Sequence, residues 1–365
     1  FIDVGSFELK CAINEQNVKL IQKNRFLWIE NEVCGIIQYI SSSTDDGTIT
    51  VKGKLAKEML NWRWVYPCFV KTGEPASLAE GIVNIHCVNP SEPKRKMRGL
   101  VIGNAGYVIN KPHITYQKTG DTVLASVQNI STANNLGFEV YFNPRNANPF
   151  KFVMLEGKDR TIGNKDGNKP VVFSRDFENI VSGSYEYNDD SFRNVALVAG
   201  EVTDGSNNEN AARTFLVVDQ IGSENVSSFY RKELYIDARD LQSEYSEEAT
   251  TKDDEGNDIT ETVQKKMTEQ EYNATLSNRG FEKMGETLVE ESYESQIRTD
   301  TRTIYQFGKD YTYGDYVTVI DKSLGIMLNV QITEMQIVYD ANGYDYIPTF
   351  GNSVPTILKK IKRII

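Results

Sequence analysis

Between residues 310 and 351 apolar and polar side chains alternate through a meander of strands around two tight turns. Val317 and Val319 fall on one face and Tyr316, Thr318 and Ile320 on the other, the period of two that a strand imposes. Gly314-Asp315 is the turn that starts it. Ile326, Leu328, Val330 and Ile332 then alternate with Met327, Asn329, Gln331 and Thr333, after which the apolar phase slips to Met335 and Ile337. A slip of one residue predicts a bulge. Asn342-Gly343 between strand-like runs predicts a hairpin, because both turn positions need positive φ. Three strands therefore meander here, and none offers a nucleophile or a base.

The N-terminal pattern is similar. GSFELKCAI at 5–13 puts Phe7, Leu9, Cys11 and Ile13 on one face, and FLWIE at 26–30 is a further strand. Asp45-Asp46-Gly47 closes a hairpin between Cys34 to Ser42 and Thr48 to Gly53. These strands suit a small barrel. Leu55, Met59 and Trp62 recur at helical spacing, so the module ends in a short helix near Val65, with Pro67 at the boundary.

A mixed region follows. Pro75 stands at a first helical position ahead of a stripe of Leu78, Ile82 and Ile85. A second helix buries Val123, Leu124, Val127 and Ile130, with Thr119 or Asp121 as its cap and Gly137 at its end. Strands are predicted at 138–142 and 150–155, GNKDGNK at 163–169 is a loop, and strands resume at Val171. FRNVALVAGEV at 192–202 and TFLVV at 214–218, joined by the polar DGSNNEN, open what reads as a second barrel that the final meander completes. Between them lies an acidic tract, 243–262, without apolar periodicity, which predicts a mobile segment or a hairpin tip. The long helix after it begins at a Thr268–Glu271 capping box and buries Tyr272, Leu276, Met284 and Leu288, with Gly280 a weak point inside. The fold class is α+β and β-rich: two small antiparallel β-barrels, the second discontinuous, with inserted α+β domains.

Composition narrows the function. A chain of 365 residues carries a soft expectation of roughly two to three domains. Its 39% hydrophobic and 25% charged residues with 26 Gly are ordinary for a turn-rich soluble protein. A net charge of -11 argues against a surface that grips nucleic acid, since that affinity comes from neutralising phosphates, yet it suits a channel through which DNA must slide. Cys11, Cys34, Cys68 and Cys87 form no C-x-x-C pair, so neither a disulfide framework nor a zinc knuckle is encoded. No apolar run approaches the ~18 residues of a membrane span, and Phe1-Ile2-Asp3-Val4 is no signal peptide. The first residue is not methionine, so the expected start lies upstream.

Candidate chemistry is sparse. His86 and His113 have no Ser or Cys motif around them, which leaves a hydrolytic triad little to work with. Cys68, His86 and Cys87 offer three soft ligands at a spacing that matches no finger, and buried cysteines beside a structural histidine are the simpler reading. The acidic 253–258 stretch lacks the alternating ligands of a calcium loop, and GLVIGNAG at 99–106 has glycines at the wrong spacing for a dinucleotide. Neither a catalytic residue nor a cofactor is assigned. The terminal ILKKIKRII sets Lys359, Lys360, Lys362 and Arg363 opposite an apolar stripe that includes Ile361. This basic tail is a candidate partner contact, equally a segment packed on its own subunit.

Several stretches together resemble the tail-tip hub family of long-tailed bacteriophages, the siphophage tail or endopeptidase-like tail proteins. They are GSFELKCAI and FLWIE, then GTITVKGKLAKEMLNWRWV at 47–65, NVALVAGE at 194–201, RKELYIDARDLQS at 231–243, the helix beginning MTEQEY at 267, and YGDYVTVI with PTFG near the end. The resemblance implies a fold similar to the central baseplate hub of contractile tails: a homotrimer forming a pseudo-sixfold ring that joins a hexameric tail tube to a threefold tip and lets DNA pass. It divides the chain into a first β-barrel at 1–66, an inserted α+β domain at 67–180, a second β-barrel from 181–219 and 300–351, an inserted segment at 220–299 and a tail at 352–365. It places the protein in the virion tail tip, assembled in the host cytoplasm beside tail tube, distal tail and tail fibre or tip proteins. Relatives with a lytic label carry a C-terminal hydrolase; this chain stops shortly after TFG, so that label does not transfer. The rival functions are a carboxylate-based cell-wall hydrolase and a host receptor-binding tail protein. A further expectation is that acids outnumber bases on the ring's lumen.

Overall fold

Phe7, Leu9 and Cys11 lie on one side of the strand Ser6–Ala12, and that side packs on Ile37, Ile49 and Val51. The result is a four-stranded antiparallel sheet in the order Ser6–Ala12, Thr48–Leu55, Val33–Ser43, Phe26–Ile29. The computed structural model describes residues 1–23, 25–29, 33–202, 213–220, 227–252, 258–297, 304–340 and 343–351, and over them the protein is β-rich and α+β. Gly47 closes the predicted hairpin with φ of 62°, a left-handed conformation that glycine adopts without steric cost. A short helix α1 (Glu15–Leu20), capped by Asn14, follows the first strand.

Cys34 and Ile36 turn from this sheet into a larger core, where they meet Ala56, Met59 and Leu60 of the 3-10 helix Ala56–Trp62. That core is completed by the region after Tyr66. α2 (Pro75–Val83) starts on Pro75, whose missing N–H would have had no intrahelical partner, and buries Leu78 and Ile82. α3 (Val123–Ala133) buries Val123, Leu124, Val127 and Ile130. Its cap is Thr122, not Thr119 or Asp121: the Thr122 hydroxyl accepts from the Ala125 N–H at 3.1 Å, while the Asp121 carboxylate is held by Lys118 and by the Thr122 N–H. The helix ends at Asn134, and Gly137 instead opens the next strand. Two small sheets flank the helices. One pairs Phe69–Gly73 with Ile114–Lys118, and the other runs Leu100–Ile102, Phe150–Leu155, Gly137–Phe142.

The C-terminal meander forms as Tyr316–Asp321, Ile326–Asp340 and Gly343–Gly351. It sits within a six-stranded sheet ordered Val172–Ser174, Tyr316–Asp321, Ile326–Asp340, Gly343–Gly351, Glu290–Ile297, Ile180–Asn188. The slip in apolar phase is a register shift between Ile332 and Glu334. Asn342 of the predicted turn lies outside the described residues. Val317, Val319, Ile332 and Phe350 pack with Phe173 and Tyr293 beneath the sheet.

The second barrel is corrected by the strand order. Val195–Val202, the NVALVAGE strand, does not share the meander's sheet. It is the centre of a separate three-stranded sheet, antiparallel to Arg213–Asp219 and parallel to Glu233–Asp237. The reason is its burial: Ala196 and Val198 lie with Val218 and Ile236 beneath Tyr272 and Leu276 of α4 (Glu269–Gly285), so this apolar face is already covered by a helix. From the same stretch Ile180–Asn188 does reach the meander's sheet, at its edge, through Glu290–Ile297.

α4 begins with the predicted capping box. Gly280 is a point of close approach, not a weak point. A Cβ there would lie 2.9 Å from Val218 Cγ2, so the bare glycine lets the helix lie on the strand. The acidic tract is a hairpin of Glu244–Lys252 with Asp258–Lys266, its tip outside the described residues. Among the described residues no helix is long and apolar enough to cross a membrane.

Candidate interface: a basic aromatic cleft

The segment after the 3-10 helix runs extended, and its alternate residues face outward. Val65 is buried, whereas Trp64 and Tyr66 on either side are exposed, as a period of two requires, and Trp62, the last residue of the helix, is exposed beside them. Backbone bonds hold this run against the start of α3: the Val65 N–H donates to Asp121 O at 2.7 Å and the Val123 N–H to Arg63 O at 2.8 Å. Two arginines fix its outer side. Arg63 Nε donates to Arg95 O at 2.6 Å and Arg63 Nη1 to Trp62 O at 2.9 Å. The Arg95 guanidinium donates to the carbonyls of Tyr66, at 2.5 Å, and of Trp64. Every outward carbonyl of Trp62, Trp64 and Tyr66 thus has a guanidinium donor.

Between the two segments lies a concavity of about 430 Å³ lined by Trp62, Arg63, Trp64, Tyr66, Lys94 and Arg95. Trp62 also walls a second one, about 470 Å³, with Phe26, Ile36 and Gln38. Phe26 is braced from behind by Phe150, ring centroids 5.0 Å apart, and Trp28 further along that strand carries the Arg145 guanidinium at 6.0 Å. The chain has three tryptophans, Trp28, Trp62 and Trp64, and they are 48, 46 and 56% exposed. Trp is usually well buried, and Trp, Tyr and Arg are the residues enriched where proteins grip one another. The arrangement offers flat apolar faces rimmed by fixed cationic donors.

His86 is buried in the turn Asn84–Val88 near this cleft. Burial, then the Arg95 guanidinium, push its imidazole down to about 4, against a weaker opposite pull from the Tyr66 backbone. Below the ordinary 6.5 the unfolded chain takes up a proton that the folded chain refuses, so this contribution to stability is full above about 6.5 and is lost as pH falls through about 4. Denaturant midpoints are therefore expected to fall across that window, and to fall less in His86→Gln. An equal slope in the variant would assign the effect elsewhere. Burial likewise pushes the Cys87 thiol up to about 12 and raises that of Cys68. Among the described residues no three of His, Cys, Asp and Glu form a metal-binding group, so Cys68, His86 and Cys87 are not brought together as ligands.

Lys359, Lys360, Ile361, Lys362 and Arg363 lie outside the described residues. The short helix carrying Met59 and Trp62 is present, but Trp62 at its end is exposed, and helical spacing alone gives no sign of the aromatic cleft. The signal was present as Trp-x-Trp-x-Tyr at period two, followed by the run Lys94-Arg95-Lys96 in an acidic chain.

Comparison with known proteins gives a family model, described as Siphovirus ReqiPepy6 Gp37-like protein, that matches residues 1–352. No curated protein sequence matches the chain. Among solved structures, the 43 kDa tail protein of prophage MuSo2 from Shewanella oneidensis is similar at 12% identity and a TM-score of 0.51, covering 95% of this chain and 89% of that one. The tail protein from Neisseria meningitidis MC58 follows at 11% identity and 0.49, covering 95% and 87%. Prophage tail protein gp18 from Listeria monocytogenes EGD-e stands at 10% and 0.48, covering 98% and 88%.

Proposed function

The chain belongs to the Siphovirus ReqiPepy6 Gp37-like family, and on that premise we propose that it is a structural, non-enzymatic hub of a phage tail tip. The observation that carries the reading is the family match over residues 1–352. The likeness to the MuSo2 tail protein supports the fold. In this reading three copies close a ring between the hexameric tail tube and a threefold tip. Each copy brings two wall segments, the four-stranded N-terminal sheet and the six-stranded C-terminal one, so three copies present six positions to the tube. DNA passes without being held, through a lumen with more acids than bases. The protein resides in the virion after assembly in the host cytoplasm, next to tail tube, distal tail and fibre or tip proteins, with Lys359 to Arg363 offered to one of them.

Mass measurement tests this. Sedimentation of the purified chain is expected to give the mass of three copies, and addition of the cognate tube or distal tail protein a complex of threefold stoichiometry. A chain that stays monomeric at high concentration and joins neither would overturn the reading. Release of fragments from cell walls, abolished by one Asp or Glu substitution, would replace it with a hydrolase.

A further inference from the structure

Two surfaces of this chain are left with charges of opposite sign, and each carries exposed aromatic rings. The first is the basic aromatic cleft. Among the described residues none of its three cations, Arg63, Lys94 and Arg95, has a carboxylate within ion-pairing distance, in a chain whose net charge is -11. Because the carbonyls of Trp62, Trp64 and Tyr66 are already occupied, the hydrogen-bonding capacity that remains is that of donors. Such a surface asks for acceptors and negative charge.

The second surface is the strand Ile180–Asn188. It is the last strand of the six-stranded sheet, so among the described residues its outer edge pairs with nothing. Val181, Tyr185 and Tyr187 are exposed on it, and so are Glu186 and the following Asp190, with Glu294 exposed on the strand beside it. No cation lies within ion-pairing distance of Glu186, Asp190 or Glu294 among the described residues. A long bare edge with free backbone groups is a template for another chain, and proteins normally cover or blunt it.

We infer that the basic aromatic cleft of one copy receives the acidic, tyrosine-bearing edge strand Ile180–Asn188 of a second copy. Charge complementarity selects this occupant. The contact joins two different patches, so it is head-to-tail, and such contacts close into rings when the rotation permits. It also joins the N-terminal sheet's side of one copy to the C-terminal sheet of the next, as the three-copy ring requires. The inference rests on that reading.

The test is sedimentation of the full chain beside three variants. Lys94→Glu with the neighbouring Lys96→Glu offsets the charge of Arg63 and Arg95 and so neutralises the cleft, and Glu186→Lys with Glu294→Lys reverses the edge. All four positions are exposed, so the fold is expected to survive, which circular dichroism and melting would check. Each altered pair is expected to weaken self-association at least about tenfold, since the cleft variant loses the charge attraction and the edge variant sets like charges face to face. The chain carrying all four changes is expected to regain it, a rescue that a folding defect would not produce. Assembly of either altered pair at wild-type strength, or absence of rescue in a folded four-site chain, would overturn the interface while leaving the ring reading intact. A wild-type chain that never self-associates would overturn both.

Discussion

Replacing Asp315 by Ala is expected to cost about 3–5 kcal/mol of folding stability, read as a drop in the denaturant midpoint at unchanged slope. The carboxylate is 1% exposed and fully engaged. One oxygen accepts the Lys158 N–H at 2.9 Å; the other accepts Arg160 Nε at 2.8 Å and the Thr312 N–H at 3.0 Å. Removing it strands two backbone donors and a guanidinium that is itself mostly buried. The backbone there has no slack to compensate, because a Cβ on Gly157 would lie 1.7 Å from Gly314 O. The residue therefore joins the 157–160 segment to the turn that starts the meander. Asp315→Asn keeps the shape but presents an amide N–H₂ to donors, so its loss should fall between wild type and Ala. A cost under about 1 kcal/mol for the Ala variant would mean the junction is held by apolar packing instead.

Asp315 also shows what the sequence made legible. Gly314-Asp315 was readable as a turn, since local backbone needs are written in local residues, and so were the Thr268–Glu271 capping box, Pro75 at a helix start and the register slip after Ile332. That Asp315 reaches Lys158 and Arg160 was not readable. These partners lie 157 and 155 positions away in the chain, and one sequence gives no measure of such contacts. The same gap misplaced Val195–Val202. Alternation and apolar content announce a buried strand, but they do not say whether the cover is another strand or a helix, and α4 supplied it from seventy-odd positions downstream. The β-rich, α+β character and most elements followed from pattern, but the pairing of strands into barrels did not; strand partners and the cleft, built from segments around Trp64 and Arg95, depended on tertiary placement.

The junction of α4 with the rest of the chain rests on a second buried charge, Arg279, and its truncation to Leu is expected to cost about 3–5 kcal/mol. The guanidinium is 6% exposed and grips Asp240 with two bonds, 3.0 and 2.8 Å, while its Nε faces Glu282 at 3.4 Å. Asp240 sits at a partly open rim and can turn to water. Glu282, 3% exposed, cannot, and its Oε1 has no hydrogen-bond partner even in the intact protein. Burial already raises the Glu282 carboxyl above the ordinary range, with Arg279 the main opposing influence. Without Arg279 the carboxyl should hold its proton to still higher pH when folded. The folded variant then binds more protons than the unfolded chain in that window, so its stability should climb as pH falls. Changing Glu282 to Leu as well removes the stranded charge, and because apolar replacements of buried ion pairs are often near neutral, the double variant should recover most of the loss. If the single variant is as stable as wild type, the buried pair contributes nothing net, and if the double is no better than the single, the cost lies in the lost Asp240 contact and not in an uncompensated charge beneath α4.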